Sequence, residues 1–254
     1  MLIHGLQKLT LLDYPGHIAC TVFTGGCNMR CPFCHNGSIA LGRGGLNISV
    51  DELLAFLDSR VGRLDGVCVS GGEPTLHPDL PDLLREIKAR GFDVKLDTNG
   101  TNPEMLSLLI DEGLVDYVAM DVKNSPERYV EAAGLNAKCT SSTTEGGPPS
   151  PTRFAGEVNM QNAELILDKV KRSADILMQG RVDFEFRTTL MRELHSDDDI
   201  RAIGKWLSGG EKYFLQTYRD EGDLLVGGFT PFTAVETWRL LTVLREFIPN
   251  AEIR

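Results

Sequence analysis

This sequence predicts an α/β chain, a single domain built as an open, partial (β/α)6 barrel of TIM-like kind. Three observations carry that expectation. Short runs rich in Val, Ile, Phe and Tyr alternate with amphipathic stretches. The alternation repeats about six times, fewer than the eight units of a closed barrel. Strand–helix alternation implies parallel strands joined by right-handed crossovers. A doubly wound sheet is the alternative. In either case ligands gather at the carboxyl ends of the strands.

The expected strands, in chain order, are "HIACTVFT" (17–24), "GVCVS" (66–70), "FDVKLD" (92–97), "VDYVAMDVK" (115–123), "VDFEFRTTL" (182–190) and "KYFLQTY" (212–218). None contains Pro, which would remove a ladder donor. Helices fall between them. Ser49 with Glu52 reads as a capping box for "VDELLAFLDSR", and Gly91 ends "PDLLREIKAR". Asn102 caps a helix that has Pro103 at its first position and Gly113 past its end. Ser196 with Asp199 starts another helix, and Thr233 with Glu236 the last. The stretch 136–157, "NAKCTSSTTEGGPPSPTRFAGE", is poor in large apolar residues and reads as a mobile loop before a helix starting near Asn159.

Composition limits the function. The formal net charge of −10 argues against a nucleic-acid partner, because phosphate binding needs a basic face. No apolar run approaches the ~20 residues of a membrane span, and "MLIHGLQKLTLLDYPG" lacks the pattern of a signal peptide. Six irregularly spaced cysteines then fit a reducing, cytoplasmic setting better than a disulfide framework. Cys20 and Cys68 fall inside strands and read as small buried residues; Cys139 falls in the loose loop.

Cys27, Cys31 and Cys34 stand apart. They form C-x3-C-x2-C in "GGCNMRCPFCHNG" (25–37), directly after the first expected strand. A zinc site would need a fourth ligand, for which His35 is adjacent. A redox pair of Cys31 and Cys34 would leave Cys27 unused. A [4Fe–4S] cluster held by three thiolates would keep one iron free for a substrate.

With an aromatic, Phe33, just before the third cysteine, this motif resembles the radical S-adenosylmethionine (SAM) superfamily. The wider stretch "LLDYPGHIACTVFTGGCNMRCPFCHN" is similar to the glycyl-radical-enzyme activases, most of all those of anaerobic ribonucleoside-triphosphate reductase, with pyruvate formate-lyase activases as near relatives. The similarity covers most of 5–135 and resumes around 182–220. It implies one [4Fe–4S] cluster on Cys27, Cys31 and Cys34, with SAM on the open iron. It further implies a 5′-deoxyadenosyl radical that takes a hydrogen atom from a glycine of a large partner enzyme, with flavodoxin or ferredoxin as electron donor. Some relatives insert a segment with further cysteines after the first motif; this chain runs straight from Cys34 to Ser49.

The resemblance assigns further residues. Phe33 packs near the adenine, and His35 flanks the same motif. "SGGEP" matches the motif that meets the SAM amino group, through Gly71, Gly72 and Glu73. Glycines also allow close backbone approach. "DTNG" and "MDVK" end the third and fourth expected strands. Asp97 and Asp121 should face each other there, and two close carboxylates need a cation or proton between them. Asp97, Thr98 and Asp121, with the carbonyl of Ala119, match a monovalent cation site (Na+ or K+) in relatives. Asn99 follows in the same turn. Lys123 shares a strand face with Asp121 and could pair with the SAM carboxylate. Arg187, inside a strand, is either a SAM contact or part of a structural ion pair. Arg219 stands where pyruvate formate-lyase activases have a SAM-contacting histidine. No side chain need act as acid or base. A small-molecule substrate is the nearest rival reading, and a zinc-binding interaction module a remote one.

Overall fold

The computed structural model describes residues 1, 3–43, 46–135 and 160–254. Eight strands lie in one sheet in sequence order. β1 (Ile3–Thr10) runs antiparallel to β2 (Ala19–Thr24). From β2 onward each strand is parallel to the next: β3 (Gly66–Gly71), β4 (Asp93–Thr98), β5 (Tyr117–Asp121), β6 (Asp183–Leu190), β7 (Tyr213–Thr217) and the two-residue β8 (Glu252–Ile253). A doubly wound sheet reverses its strand order at a switch point. Here the order never reverses, so the open barrel is the architecture. All six expected strands occur. β1 and β8 add to them at the two edges.

The helices are α1 (Gly37–Ala40), α2 (Val50–Asp58), α3 (Leu80–Ala89), α4 (Pro103–Asp111), α5 (Tyr129–Ala132), α6 (Met160–Met178), α7 (Asp197–Trp206) and α8 (Ala234–Arg245). Their starts follow the local chemistry. Ser49, Ser196 and Thr233 each complete a capping box with Glu52, Asp199 and Glu236. Asn102 accepts from Met105 N–H, with Pro103 at the first position of α4. The expected loop at 136–157, the expected helix start near Asn159 and Cys139 lie outside the described residues.

Strand periodicity builds the two faces. Val94 and Leu96 of β4, Val118 and Met120 of β5, and Phe184 and Phe186 of β6 join the helices' Leu83, Leu84, Ile87, Leu106 and Leu109 in one core. Removing such side chains from water supplies most of the stabilisation, roughly 1.5–3 kcal/mol for each large one. The alternate positions, Lys95 and Asp97, Ala119 and Asp121, Glu185 and Arg187, carry nearly all the charge. One face is therefore oily and the other ionic, and the ionic face leads up to the strand ends.

A candidate cofactor site at the carboxyl ends of the strands

The three motif cysteines sit on the loop after β2, and the chain clamps that loop from two sides. Gly26 N–H donates to Ile39 O at 2.8 Å and Cys27 N–H to Ala40 O at 3.0 Å, so α1 braces it from one side. From the other, Leu225 N–H donates to Cys34 O at 3.0 Å and Val226 N–H to Pro32 O at 2.8 Å. Asp223 adds carboxylate bonds to Ser38 N–H and Oγ at 2.8 and 3.0 Å. The segment after β7 is thus a strap across the cysteine loop.

Burial pushes the Cys27 thiol up to about 11 and that of Cys31 to about 12, and raises Cys34 as well. The thiolates need positive charge delivered with the metal. Among the described residues, no three His, Cys, Asp or Glu side chains are gathered to hold one metal ion. All three cysteines nonetheless line one cavity. Three thiols on one cavity wall fit a polynuclear cluster, in which each thiolate takes its own iron.

The Gly-Gly-Glu turn ends β3 beside this loop. A Cβ on Gly72 would lie 1.9 Å from the carbonyl oxygen of Gly26, and one on Gly71 (φ +116°) 2.4 Å from Thr24 backbone atoms. What approaches these glycines is therefore the cysteine loop itself. Gly72 N–H donates to Thr24 O and Glu73 N–H to Gly26 O, both at 2.9 Å. The Glu73 side chain is fully buried. Its carboxylate already accepts from Thr75 N–H (3.1 Å), Thr75 Oγ1 (2.5 Å), Thr98 Oγ1 (2.7 Å) and Asn99 N–H (2.6 Å). Through these bonds it fastens the end of β4, and Oε2, which accepts only from Asn99 N–H, keeps acceptor capacity. Burial raises its pKa despite these donors.

Asp97 and Asp121 meet at adjacent strand ends, as expected, and the charge between them is Arg187. Its guanidinium lies 2.9 Å from Asp121 Oδ1 and 3.5 Å from Asp97 Oδ1. Lys123 pairs with Asp121 at 3.0 Å, and Lys95, almost wholly buried, pairs with Asp97. Burial works against ionising Asp97, but Arg187 and Lys95 outweigh it and hold the carboxyl below its ordinary value. For Asp121, burial is likewise outweighed, by Arg187 and Lys123, and the lowering is larger. Lys123 moves the other way: burial would lower it, and Asp121 raises it well above the usual range. Along the cavity wall Lys123 and Arg187 balance Asp97 and Asp121, and both cations stand where an anionic ligand group can reach them.

Most of these parts line one cavity at the strand ends. Its wall includes Phe33, His35, Gly71, Gly72, Asp97, Thr98, Asn99, Asp121, Lys123 and Arg187 beside the cysteines. Arg219 lies off this cavity. It lines a separate shallow pocket with Thr217 and Glu221, where its carbonyl meets His35 Nε2 at 2.7 Å. The backbone after β7 turns away to form the strap, and that carries the side chain off the cavity. Sequence reasoning missed Asn36, Ser70, Thr189 and Leu225, which also line the wall. Ser70 Oγ donates to Asp97 Oδ2 at 3.0 Å. Its outward neighbour in "SGGEP" drew attention to glycines, and nothing local marked Asn36, Thr189 or Leu225.

Known proteins resemble this chain. The model of the radical SAM superfamily matches residues 21–144. A relative from Methanocaldococcus jannaschii, named provisionally as a glycyl-radical enzyme activating enzyme, is 33% identical over 220 residues, covering 85% of this chain and 80% of the relative. The pyruvate formate-lyase-activating enzyme of Clostridium pasteurianum is 33% identical over 130 residues, 48% of this chain and 52% of that one. Among solved structures, a radical SAM methyltransferase from Sphaerobacter thermophilus superposes with a TM-score of 0.64 at 17% identity, over 95% of this chain and 67% of that one; the likeness is one of fold. The chain belongs to the radical SAM superfamily, as an enzyme of the glycyl-radical enzyme activating type whose cofactors are a [4Fe–4S] cluster and SAM.

Proposed function

We propose that this enzyme activates a large glycyl-radical enzyme by removing a hydrogen atom from a backbone glycine, and that anaerobic ribonucleoside-triphosphate reductase is the first partner to test. The observation that carries the reading is the cavity at the strand ends, which gathers three cysteines with the ion pairs of Lys123 and Arg187 to Asp97 and Asp121. When bound, the cluster and SAM supply a 5′-deoxyadenosyl radical. The chain's own residues hold, orient and shield. Cys27, Cys31 and Cys34 take three irons and leave the fourth open. Lys123 and Arg187 bind the carboxylate of SAM. Phe33, nearly buried in the wall and 5.9 Å below Lys123 Nζ, offers a face to the adenine. Gly71 and Gly72 keep the β3 end close to the cysteine loop; His35 and Asn99 close the wall on either side. No group here needs to move a proton.

The monovalent cation follows from the same ion pairs. In the ligand-free chain, Arg187 and Lys123 answer the charge of Asp97 and Asp121. A SAM carboxylate that engages Lys123 and Arg187 would draw them from these partners. Asp97, Thr98 and Asp121 would then be free to take Na+ or K+. The electron would come from flavodoxin or ferredoxin, in the cytoplasm. Among the described residues no helix is long and apolar enough to cross a membrane.

The reading is tested by incubating the reduced protein with SAM and the candidate reductase without oxygen. A doublet in the electron paramagnetic resonance spectrum, lost when the partner's target glycine becomes alanine, is expected. A full cluster and SAM cleavage with no protein radical on any glycyl-radical enzyme would refute it.

A further inference from the structure

We infer that Asn99 is a positioning residue that sets the reduction potential of the cluster through a hydrogen bond to Cys27. The inference rests on the reading of Cys27 as a cluster ligand. Asn99 is buried at the end of β4, with its side-chain Nδ2 3.7 Å from Cys27 Sγ. The same sulfur accepts from Met29 N–H at 3.4 Å.

The direction of that amide is fixed by its neighbours. Asn99 Oδ1 lies 3.0 Å from Thr101 N and 2.7 Å from Thr101 Oγ1. A backbone N–H can only donate, so the atom facing Thr101 is the oxygen, and the NH2 group must face the sulfur. Its other hydrogen goes to Asn28 Oδ1 at 3.0 Å. Asn28 Nδ2 then donates to Thr101 Oγ1 at 2.9 Å and closes a ring of three side chains. The backbone of Asn99 is pinned as well, by its N–H on the fully buried Glu73. Asn99 thus has little freedom to turn its donor away. This gives the buried carboxylate of the Gly-Gly-Glu turn a second use: it holds the residue that holds the sulfur.

A donor on a ligating sulfur favours the state in which that sulfur carries more negative charge. That is the reduced state of the cluster, so the bond raises the midpoint potential. The effect gains strength in a buried site of low polarisability.

The test is a potentiometric titration of the reconstituted protein, followed by the resonance signal of the reduced cluster. Asn99→Ala deletes the donor and adds no charge. Asn99→Asp keeps the side-chain volume and the acceptor for Thr101, so it preserves the loop even where the truncation does not. Both variants should hold the parent's iron and sulfide, and both midpoints should fall, that of Asn99→Asp further because it also adds a negative charge. A midpoint equal to or above the parent's, in either variant with its cluster intact, overturns the inference. A parent protein that binds no iron would instead remove the cluster reading on which it stands.

Discussion

At the scale of single residues, the site depends on which atoms are already spoken for. Changing Cys27, Cys31 or Cys34 to Ala should abolish the cluster's visible absorbance and its iron. Cys20→Ala or Cys68→Ala, at fully buried positions within strands, should leave the iron content near the parent's. Iron that survived loss of any motif cysteine would remove that residue as a ligand. Gly72→Ala should be as damaging as a lost cysteine, although it removes no ligand: its methyl would overlap the carbonyl of Gly26 and force the cysteine loop off β3. Full iron in that variant would show the loop to be more compliant than the contact implies. Asp121→Ala should keep the cluster and weaken SAM binding by about 1–3 kcal/mol, the scale of leaving a buried charge unpartnered. SAM should bind more tightly in Na+ or K+ than in choline, and equal affinities would dismiss the cation. The motifs announced the cysteines, Asp97, Asp121 and Lys123 in the sequence itself. The same motifs marked Glu73, but spacing says nothing about the four donors that converge on it from Thr75, Thr98 and Asn99. Arg187 was visible as a charge in an apolar strand, and which acids it would meet was a matter of register between strands.

Elements place those residues, and most of the elements follow from local chemistry. The capping residues Ser49, Asn102, Ser196 and Thr233 each accept the bonds their sequence neighbours suggest. β1 was illegible for a physical reason: "IHGLQKLT" is an edge strand with three of its 8 residues exposed and only two buried, so it lacks the apolar density of the parallel strands. The strap of 223–226 was equally hidden, since its backbone bonds to Cys34 and Pro32 involve no recognisable side-chain pattern. His195 shows how one residue between elements matters to stability. Met191 N–H reaches its Nδ1 at 3.3 Å, and its Nε2 meets Lys123 O at 3.0 Å, so a neutral ring with the proton on Nε2 satisfies both. It ties the end of β5 to the start of α7. Burial lowers its pKa to about 4, from an ordinary value of 6.5. The unfolded chain therefore binds a proton that the folded one refuses between these values. The ring's contribution is whole above pH 6.5 and is lost as the pH falls towards 4, on the order of 3 kcal/mol in all. Denaturant unfolding of the cluster-free protein across that range should show the decline, and His195→Gln should flatten it. An identical slope in the variant would assign the acid sensitivity elsewhere.

At the scale of the whole molecule, an open barrel with a cavity at one end presents its cofactors to something outside. The sheet stops at β1 on one side and β8 on the other, and its ionic face rises to Lys123 and Arg187 beneath the cysteine loop. Holding is the chain's task, and the radical chemistry belongs to what it holds. The claim that stands or falls as a whole is that the hydrogen atom comes from a glycine of another protein. The most direct measurement uses a partner enzyme carrying deuterium at the α-carbon of its target glycine, reduced activase and unlabelled SAM. Deuterium should appear in the 5′-deoxyadenosine formed, in proportion to the glycyl radical gained by the partner. Unlabelled 5′-deoxyadenosine alongside a glycyl radical, or label arriving only from a small molecule with no radical on the protein, would contradict the account.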